Sequence, residues 1–291
     1  MWERVRVQGD GEVSAIIKIV PKTFSVIVMD VDGTMVGPDF VVSDRLRRSV
    51  QSARDAGAIV SLATGRMMRS ARRFARDSGT DGPVICYQGA LTFSAQTGDI
   101  LRHERISPDA AADALRLFKS AGAHVNLYLD DEVYVEKVTA WAEGYSSRME
   151  LQLNVVPSLL DMAGRGPTLI LAVDEKERTE QLVLGATRLL GERARVTHSL
   201  SHFCEVGSAN AGKERALDHL ADFLGIPSER FIAFGDGKGD AGMLEWAGLG
   251  VAMKDSHPDT LAVADRVAPG PDEYGVAQVI EELLQQGRIG R

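Results

Sequence analysis

A chain of 291 residues, 44% hydrophobic and 25% charged, has the balance of an ordinary globular protein, and its length suits two domains or one large α/β domain. The formal net charge of -8 argues against nucleic acid as a partner, because phosphate backbones are bound by basic surfaces. The two cysteines, Cys86 and Cys204, lie in apolar stretches and read as buried thiols of a reducing compartment; with no apolar run long enough to span a bilayer, a cytoplasmic protein with no membrane partner is expected.

Residues 1–23 alternate weakly in hydrophobicity (Val5, Val7; Val13, Ala15, Ile17, Ile19), as a strand or hairpin would, and carry no recognisable chemistry. From Phe24 the pattern sharpens. Ser25-Val26-Ile27-Val28-Met29 is a short apolar run, the mark of a parallel strand buried on both faces. Ser43 reads as a helix N-cap, with Leu46, Val50 and Ala53 on one face and Gly57 as terminator. A second buried strand, Ala58–Ala63, ends at Thr64-Gly65-Arg66; an Arg-rich helix and a third strand, Pro83–Tyr87, follow. This β-α-β-α-β order predicts a doubly wound parallel sheet.

Between residues 91 and 201 the texture changes. Hairpin-like segments (91–106 and 125–136) mix with helices (108–121, 138–149 and 176–190) and a strand, Thr168–Val173, which predicts an inserted α+β domain with its own small sheet. The βα texture then resumes. Helix 213–224 has Ala216, Leu217, Leu220, Phe223 and Leu224 on its inner face; strand Phe231–Phe234 runs into Gly235-Asp236; a strand at 248–253 and a closing helix at 274–286 complete the pattern. Residues 1–23 are thus an extension, 24–90 with 202–291 a split core, and 91–201 an insertion.

Ligands of a parallel sheet bind at the carboxyl ends of its strands. There this sequence places Asp30 and Asp32, Thr64, and Asp236 with Asp240. A phosphate ester repels nucleophiles, so its site must neutralise charge and hold an attacking oxygen in line. A carboxylate can attack phosphorus and divide one hard step into two easier ones. Carboxylates this close repel one another, and Mg²⁺, which takes hard oxygen ligands and bridges them to phosphate, fits the need. The second carboxylate, two residues on, can give a proton to the leaving group and later take one from water. Gly33 and Thr34 allow a tight turn with backbone N–H groups toward the phosphate.

These residues resemble the haloacid dehalogenase superfamily. Asp30-Val31-Asp32-Gly33-Thr34 is similar to its first motif, Leu62-Ala63-Thr64-Gly65-Arg66 to its second, Lys213 to its third, and Gly235-Asp236-Gly237-Lys238-Gly239-Asp240 to its fourth. The long insertion between the second and third motifs, and the tail Asp272-Glu273-Tyr274-Gly275-Val276-Ala277, resemble the Cof-type subgroup with a C2 cap. The resemblance implies a Rossmann-like core with an α+β cap. It implies an Mg²⁺-dependent phosphatase of small phosphorylated metabolites, such as sugar phosphates, acting through an aspartyl-phosphate; a monomer or homodimer is expected. Asp30 would be nucleophile and metal ligand. Asp32 would be general acid/base, its backbone carbonyl also on the metal. Thr64, Gly65, Gly33 and Lys213 would bind the phosphoryl group, Asp236 would complete the metal ligands, and Asp240 would support them from behind or through water. A phosphosugar mutase and a catalytically weak phospho-ligand sensor are the alternatives.

The chain departs from the subgroup in three places: Gln88 and Gly239 each stand where it usually has Asn, and Lys254-Asp255-Ser256 stands for Gly-Asn-Ala. All spare the charged groups. Arg66, Arg69, Arg72 and Arg73 read as a solvated helix face, with Arg66 near enough to the site to act electrostatically. Asp130-Asp131-Glu132 reads as a solvated turn, Trp141 and Tyr145 as cap packing, and the six scattered histidines as surface or packing residues.

Overall fold

The computed structural model describes residues 2–4, 16–18, 23–149 and 152–290, without the side chains of 2–4, 16–18 and 145–149. Within the N-terminal extension, Trp2–Arg4 pairs antiparallel with Ile16–Lys18; the rest of the expected hairpin, and the side chain of Tyr145, lie outside the described residues.

The main sheet has eight strands. From one edge they are Arg266–Ala268, Leu249–Met253, Phe231–Gly235, Val26–Met29, Ile59–Ala63, Pro83–Cys86, Leu91–Ser94 and Ile100–His103. The first six are parallel and the last two antiparallel. Alternate residues of the apolar runs feed opposite faces, as the pleat requires. Ile27, Met29, Val60 and Leu62 pack with Leu46, Val50, Phe74 and Ile280. Val26, Val28, Ala63 and Ile85 pack on the other side with Leu217, Leu220 and Met243. Helices therefore cover both faces, which is why the central strands read as continuous apolar runs. Ser43 caps its helix by accepting from Leu46 N (3.2 Å).

The second sheet has six strands, in the order Leu153–Val155, Glu132–Val135, His124–Leu129, Leu169–Val173, Phe203–Ser208 and Ala194–Thr197. Helices Pro108–Ala121 and Lys176–Leu190 cover one face, with Phe118, Leu182, Leu127, Ile170 and Cys204 in one core. Tyr128, Val133, Leu169 and Leu171 on the other face join the core of the main domain, so this sheet is a cap whose bare side faces the large sheet.

The sheets divide the chain differently from the expected boundaries. Leu91–Ser94 and Ile100–His103 belong to the main sheet, and Phe203–Ser208 to the cap. An antiparallel hairpin at the edge of a parallel sheet looks in sequence like the hairpins of the cap. Both cysteines are buried free thiols, and burial pushes Cys204 up to about 12. Phe223, expected inward, is 66% exposed at the flank of its helix. No helix among the described residues is long and apolar enough to cross a membrane.

Candidate active site

The carboxyl ends of three adjacent central strands supply the site. Asp30 follows Val26–Met29 and is 6% exposed. Its Oδ1 accepts from Lys213 Nζ at 2.6 Å, and the same ammonium donates to Asp240 Oδ1 at 2.6 Å. Lys213 opens the helix Lys213–Leu224 and is itself 4% exposed. Asp240 is fully engaged, since its Oδ2 accepts from the backbone N–H of Asp236 (3.0 Å) and Gly237 (2.9 Å). It therefore holds the loop that presents Asp236. Asp236 Oδ1 accepts from the Thr34 hydroxyl at 2.7 Å.

Gly33 has a use other than the expected one. Its N–H donates to Val36 O (3.0 Å), which closes the turn instead of facing a phosphate. At φ +78° it carries no side chain because a Cβ there would stand 2.3 Å from Asp236 Oδ2. Thr64 is fully buried behind Gly65, and its Oγ1 accepts from Arg66 N–H at 3.2 Å.

Oxygens of Asp30, Asp236 and Asp240 lie within 4.8 Å of one another. Burial raises the Asp30 carboxyl well above its usual range; Lys213 opposes this, while Asp240, Asp236 and Asp32 add to it. Burial likewise pushes Asp236 up to about 6, against the Thr34 hydrogen bond and with repulsion from Asp240. Burial lowers Lys213, but Asp240 and Asp30 overcome it and hold the ammonium firmly protonated. Four carboxylates (Asp30, Asp32, Asp236, Asp240) face two bonded cations (Lys213, Arg66), a formal excess of two negative charges. A divalent cation with hard-oxygen preference matches that excess and this donor set.

Arg66 is not on a solvated face. Its side chain is 9% exposed and donates from Nε and Nη2 to both oxygens of Asp32 (2.7 and 2.5 Å). The guanidinium lies over the rings of Phe40 (4.9 Å) and Phe74 (4.5 Å). Aromatic faces stabilise a planar cation and fix its plane, so the fork toward Asp32 is preorganised.

The sequence matches the haloacid dehalogenase-like hydrolases over residues 27–280. The chain belongs to that family. Phosphatase YwpJ of Bacillus subtilis is 28% identical over 283 residues, spanning 89% of this chain and 99% of that protein. The 5-amino-6-(5-phospho-D-ribitylamino)uracil phosphatase YitU of the same organism is 26% identical, spanning 89% and 97%. Among solved structures, TM0651 from Thermotoga maritima is 27% identical with a TM-score of 0.80, covering 89% of this chain and 97% of that one. BT1666 from Bacteroides thetaiotaomicron is 25% identical with a TM-score of 0.80, covering 93% and 98%. The phosphoric monoester hydrolase read from the sequence is the class these relatives represent, and the Cof-type reading of the fold agrees with them.

In this haloacid dehalogenase-like hydrolase the site opens into a cleft of ≈ 330 Å³ between core and cap. Asp30, Asp32, Gly65, Lys213, Asp236 and Asp240 line its core side; Gly33 and Thr64 do not reach it. The cap contributes Ser199, Leu200, Phe203 and Glu205. Glu205 stands across from Leu171 on the bare face of the cap sheet and is 7% exposed. Burial raises its carboxyl, against hydrogen bonds from Ser199 and Thr197. These four residues are not legible in the sequence, because nothing local marks a cap strand as facing the core. The alternation Phe203, Glu205 was the available signal. A larger cleft of ≈ 460 Å³ lies within the cap and contains none of the catalytic candidates.

Asp131 joins the two domains. Its Oδ1 accepts from Tyr87 OH (2.8 Å) and its Oδ2 from Arg69 N–H (3.0 Å), in the first turn of helix Met68–Ser78. The N-cap of that helix, Met67, makes no side-chain bond, so a cap-domain carboxylate supplies what the core sequence lacks. Glu132 pairs with Arg69, and Asp130 accepts from Arg105 and Arg165. The expected solvated turn is an interdomain joint. Trp141, expected in the cap core, is 40% exposed and stacks on His202 at 5.6 Å.

Proposed function

We propose that this hydrolase removes phosphate from small phosphorylated metabolites, with Mg²⁺ bound and through an aspartyl-phosphate on Asp30. The observation that carries the reading is the buried carboxylate excess around Lys213, open to a cleft that a cap covers. Asp30, Asp236 and the Asp32 backbone carbonyl would hold Mg²⁺, which when bound supplies neutralisation of the phosphoryl charge. Lys213 fixes Asp30 by Oδ1, and Asp30 Oδ2 has no hydrogen-bond partner among the described residues. An Asp30 oxygen forms the new bond to phosphorus as the ester oxygen leaves with a proton from Asp32. Asp32 then takes a proton from water, which attacks phosphorus, releases the Asp30 carboxylate and yields orthophosphate. Asp32 is held by both oxygens on Arg66, so the proton steps require that fork to open or shift.

The cap wall supports a selective role. Leu200 and Phe203 offer an apolar face and Glu205 a hydrogen-bonding carboxyl, which suits a leaving group with both a hydrocarbon surface and hydroxyl or amino donors. The test is orthophosphate release over a broad panel of phosphate esters with Mg²⁺ and with EDTA. Release that needs Mg²⁺ and vanishes in Asp30→Asn supports the reading; a wild type inert toward every ester overturns it. Acid-quench trapping of a labelled aspartyl-phosphate checks the intermediate.

A further inference from the structure

Gln88 is left without a role by the mechanism, although its side chain lines the same cleft as Asp30 and Lys213. The chain is fixed with care around it. Tyr87, Gln88 and Gly89 have φ of +51°, +54° and +93°, three consecutive left-handed residues directly after strand Pro83–Cys86. Non-glycine residues in that region are uncommon and persist where surrounding structure over-determines them. Here the surroundings are on both sides. Gln88 N–H donates to Thr64 O (3.2 Å), and a Cβ on Gly89 would stand 2.2 Å from the carbonyl oxygen of Gly212, the residue before Lys213.

The side-chain amide so placed fills a slot between two glycines. A Cβ at Gly65 would stand 2.6 Å from Gln88 Nε2, and one at Gly239 3.5 Å from Gln88 Oε1. At Gly65 a Cβ would displace the amide, whereas at Gly239 a Cβ would only touch it and a side chain as long as Asn would crowd it. Among the described residues, neither amide atom of Gln88 has a hydrogen-bond partner. An amide with two free N–H donors, held against the loops that carry Thr64 and Asp240 and open to a cleft floored by Lys213, is equipped to bind an anionic oxygen.

We propose that Gln88 binds the phosphoryl group through this amide, that Gly65 is glycine to admit it, and that position 239 must stay short beside it. The proposal rests on the phosphatase reading of the cleft. It also joins two departures noted in the sequence: position 239 has no side chain to hydrogen-bond anything, and the longer amide of position 88 lies beside it. Gln88 and Gly239 are then one exchange rather than two losses.

The test uses the full-length protein with saturating Mg²⁺. Orthophosphate is titrated calorimetrically into the wild type, Gln88→Asn, Gln88→Gly, Gly239→Asn and the double variant Gln88→Asn/Gly239→Asn. Asn and Gly both tolerate the left-handed backbone at 88, so the fold is kept, and thermal melting checks it. Gln88→Asn and Gln88→Gly are expected to weaken orthophosphate binding about tenfold, the worth of one hydrogen bond to a charged group. KM for 4-nitrophenyl phosphate rises by a similar factor while kcat moves less than about threefold. Gly239→Asn alone also weakens binding, by crowding the amide, and the double variant returns to within about threefold of the wild type.

Single Gln88 variants that bind orthophosphate as the wild type does, or a double variant whose loss is the sum of the single losses, overturn the proposal. So does a wild type that fails to bind orthophosphate. If the wild type binds orthophosphate but hydrolyses no ester, the phosphatase reading falls while the titration still decides the role of Gln88.

Discussion

The core side and the cap side of the cleft are built on different principles. On the core side each acidic group is tied by at least one short bond to a partner distant in sequence: Asp30 and Asp240 to Lys213, Asp236 to Thr34, Asp32 to Arg66. The cap side offers an apolar patch, one buried carboxyl on Glu205 and the exposed Ser199. A rigid charged floor suits chemistry that is the same for every ester, and a sparse wall suits the part of the substrate that varies. If this division is right, floor substitutions lower turnover of all esters alike and wall substitutions reorder them.

The largest expected effect is that of Asp30→Asn, a loss of at least about 10⁴-fold in phosphate release from every ester, since the proposed mechanism gives the attacking oxygen to Asp30. Ester-selective residual activity would break the comparison at once. Lys213→Met comes next, lowering kcat about 10²–10³-fold through lost charge stabilisation. It also strands Asp30 and Asp240 without their cation, so urea unfolding should show a loss of about 3–5 kcal/mol when Mg²⁺ is absent. Arg66→Ala is expected to cost about tenfold or more. That loss should be greater for alkyl than for aryl phosphates, because poor leaving groups depend most on a well-placed Asp32 proton.

The smallest mutational effect should be the most selective. Glu205→Gln is expected to leave 4-nitrophenyl phosphate within about twofold while shifting kcat/KM about tenfold for esters whose leaving groups carry amino or hydroxyl donors. Uniform change across the panel would place Glu205 with the floor. pH sharpens the same contrast. Asp236 titrates at about 6 in the folded chain against a usual 3.8, so its raised value means that ionisation destabilises the fold. The penalty is absent below about pH 3.8 and complete above about pH 6; it amounts to roughly 3 kcal/mol in the metal-free protein. Denaturant midpoints without Mg²⁺ should fall across that window, and saturating Mg²⁺ should abolish the fall.

What could be read from the sequence follows the same line. The apolar runs at Val26–Met29, Ile59–Ala63 and Phe231–Gly235, each ending in a hydroxyl or acidic residue, located the sheet and most of its site, because strand burial and strand-end chemistry are encoded locally. Arg66 reads in sequence with Arg69, Arg72 and Arg73 as one basic helix face, but it precedes the helix Met68–Ser78, and only the tertiary positions of Phe40, Phe74 and Asp32 set it apart. Asp131 looked like a turn residue and is one, at φ +60°, but its partners come from 44 and 62 residues away. Glu205 is a lone acid in a strand; its exposure to the cleft depends on which cap face is left bare, which no local pattern states.

The Asp131 joint carries a consequence for how the cleft is regulated by its own contents. One carboxylate holds the start of the helix just beyond Arg66 and the phenol of the residue next to Gln88. These two bonds tie the cap to both loops, so a ligand that orders the loops is expected also to hold the cap. Such coupling is reciprocal. Asp131→Asn would weaken ligands it never touches, and a ligand in the cleft would, by the same amount, make the joint harder to break.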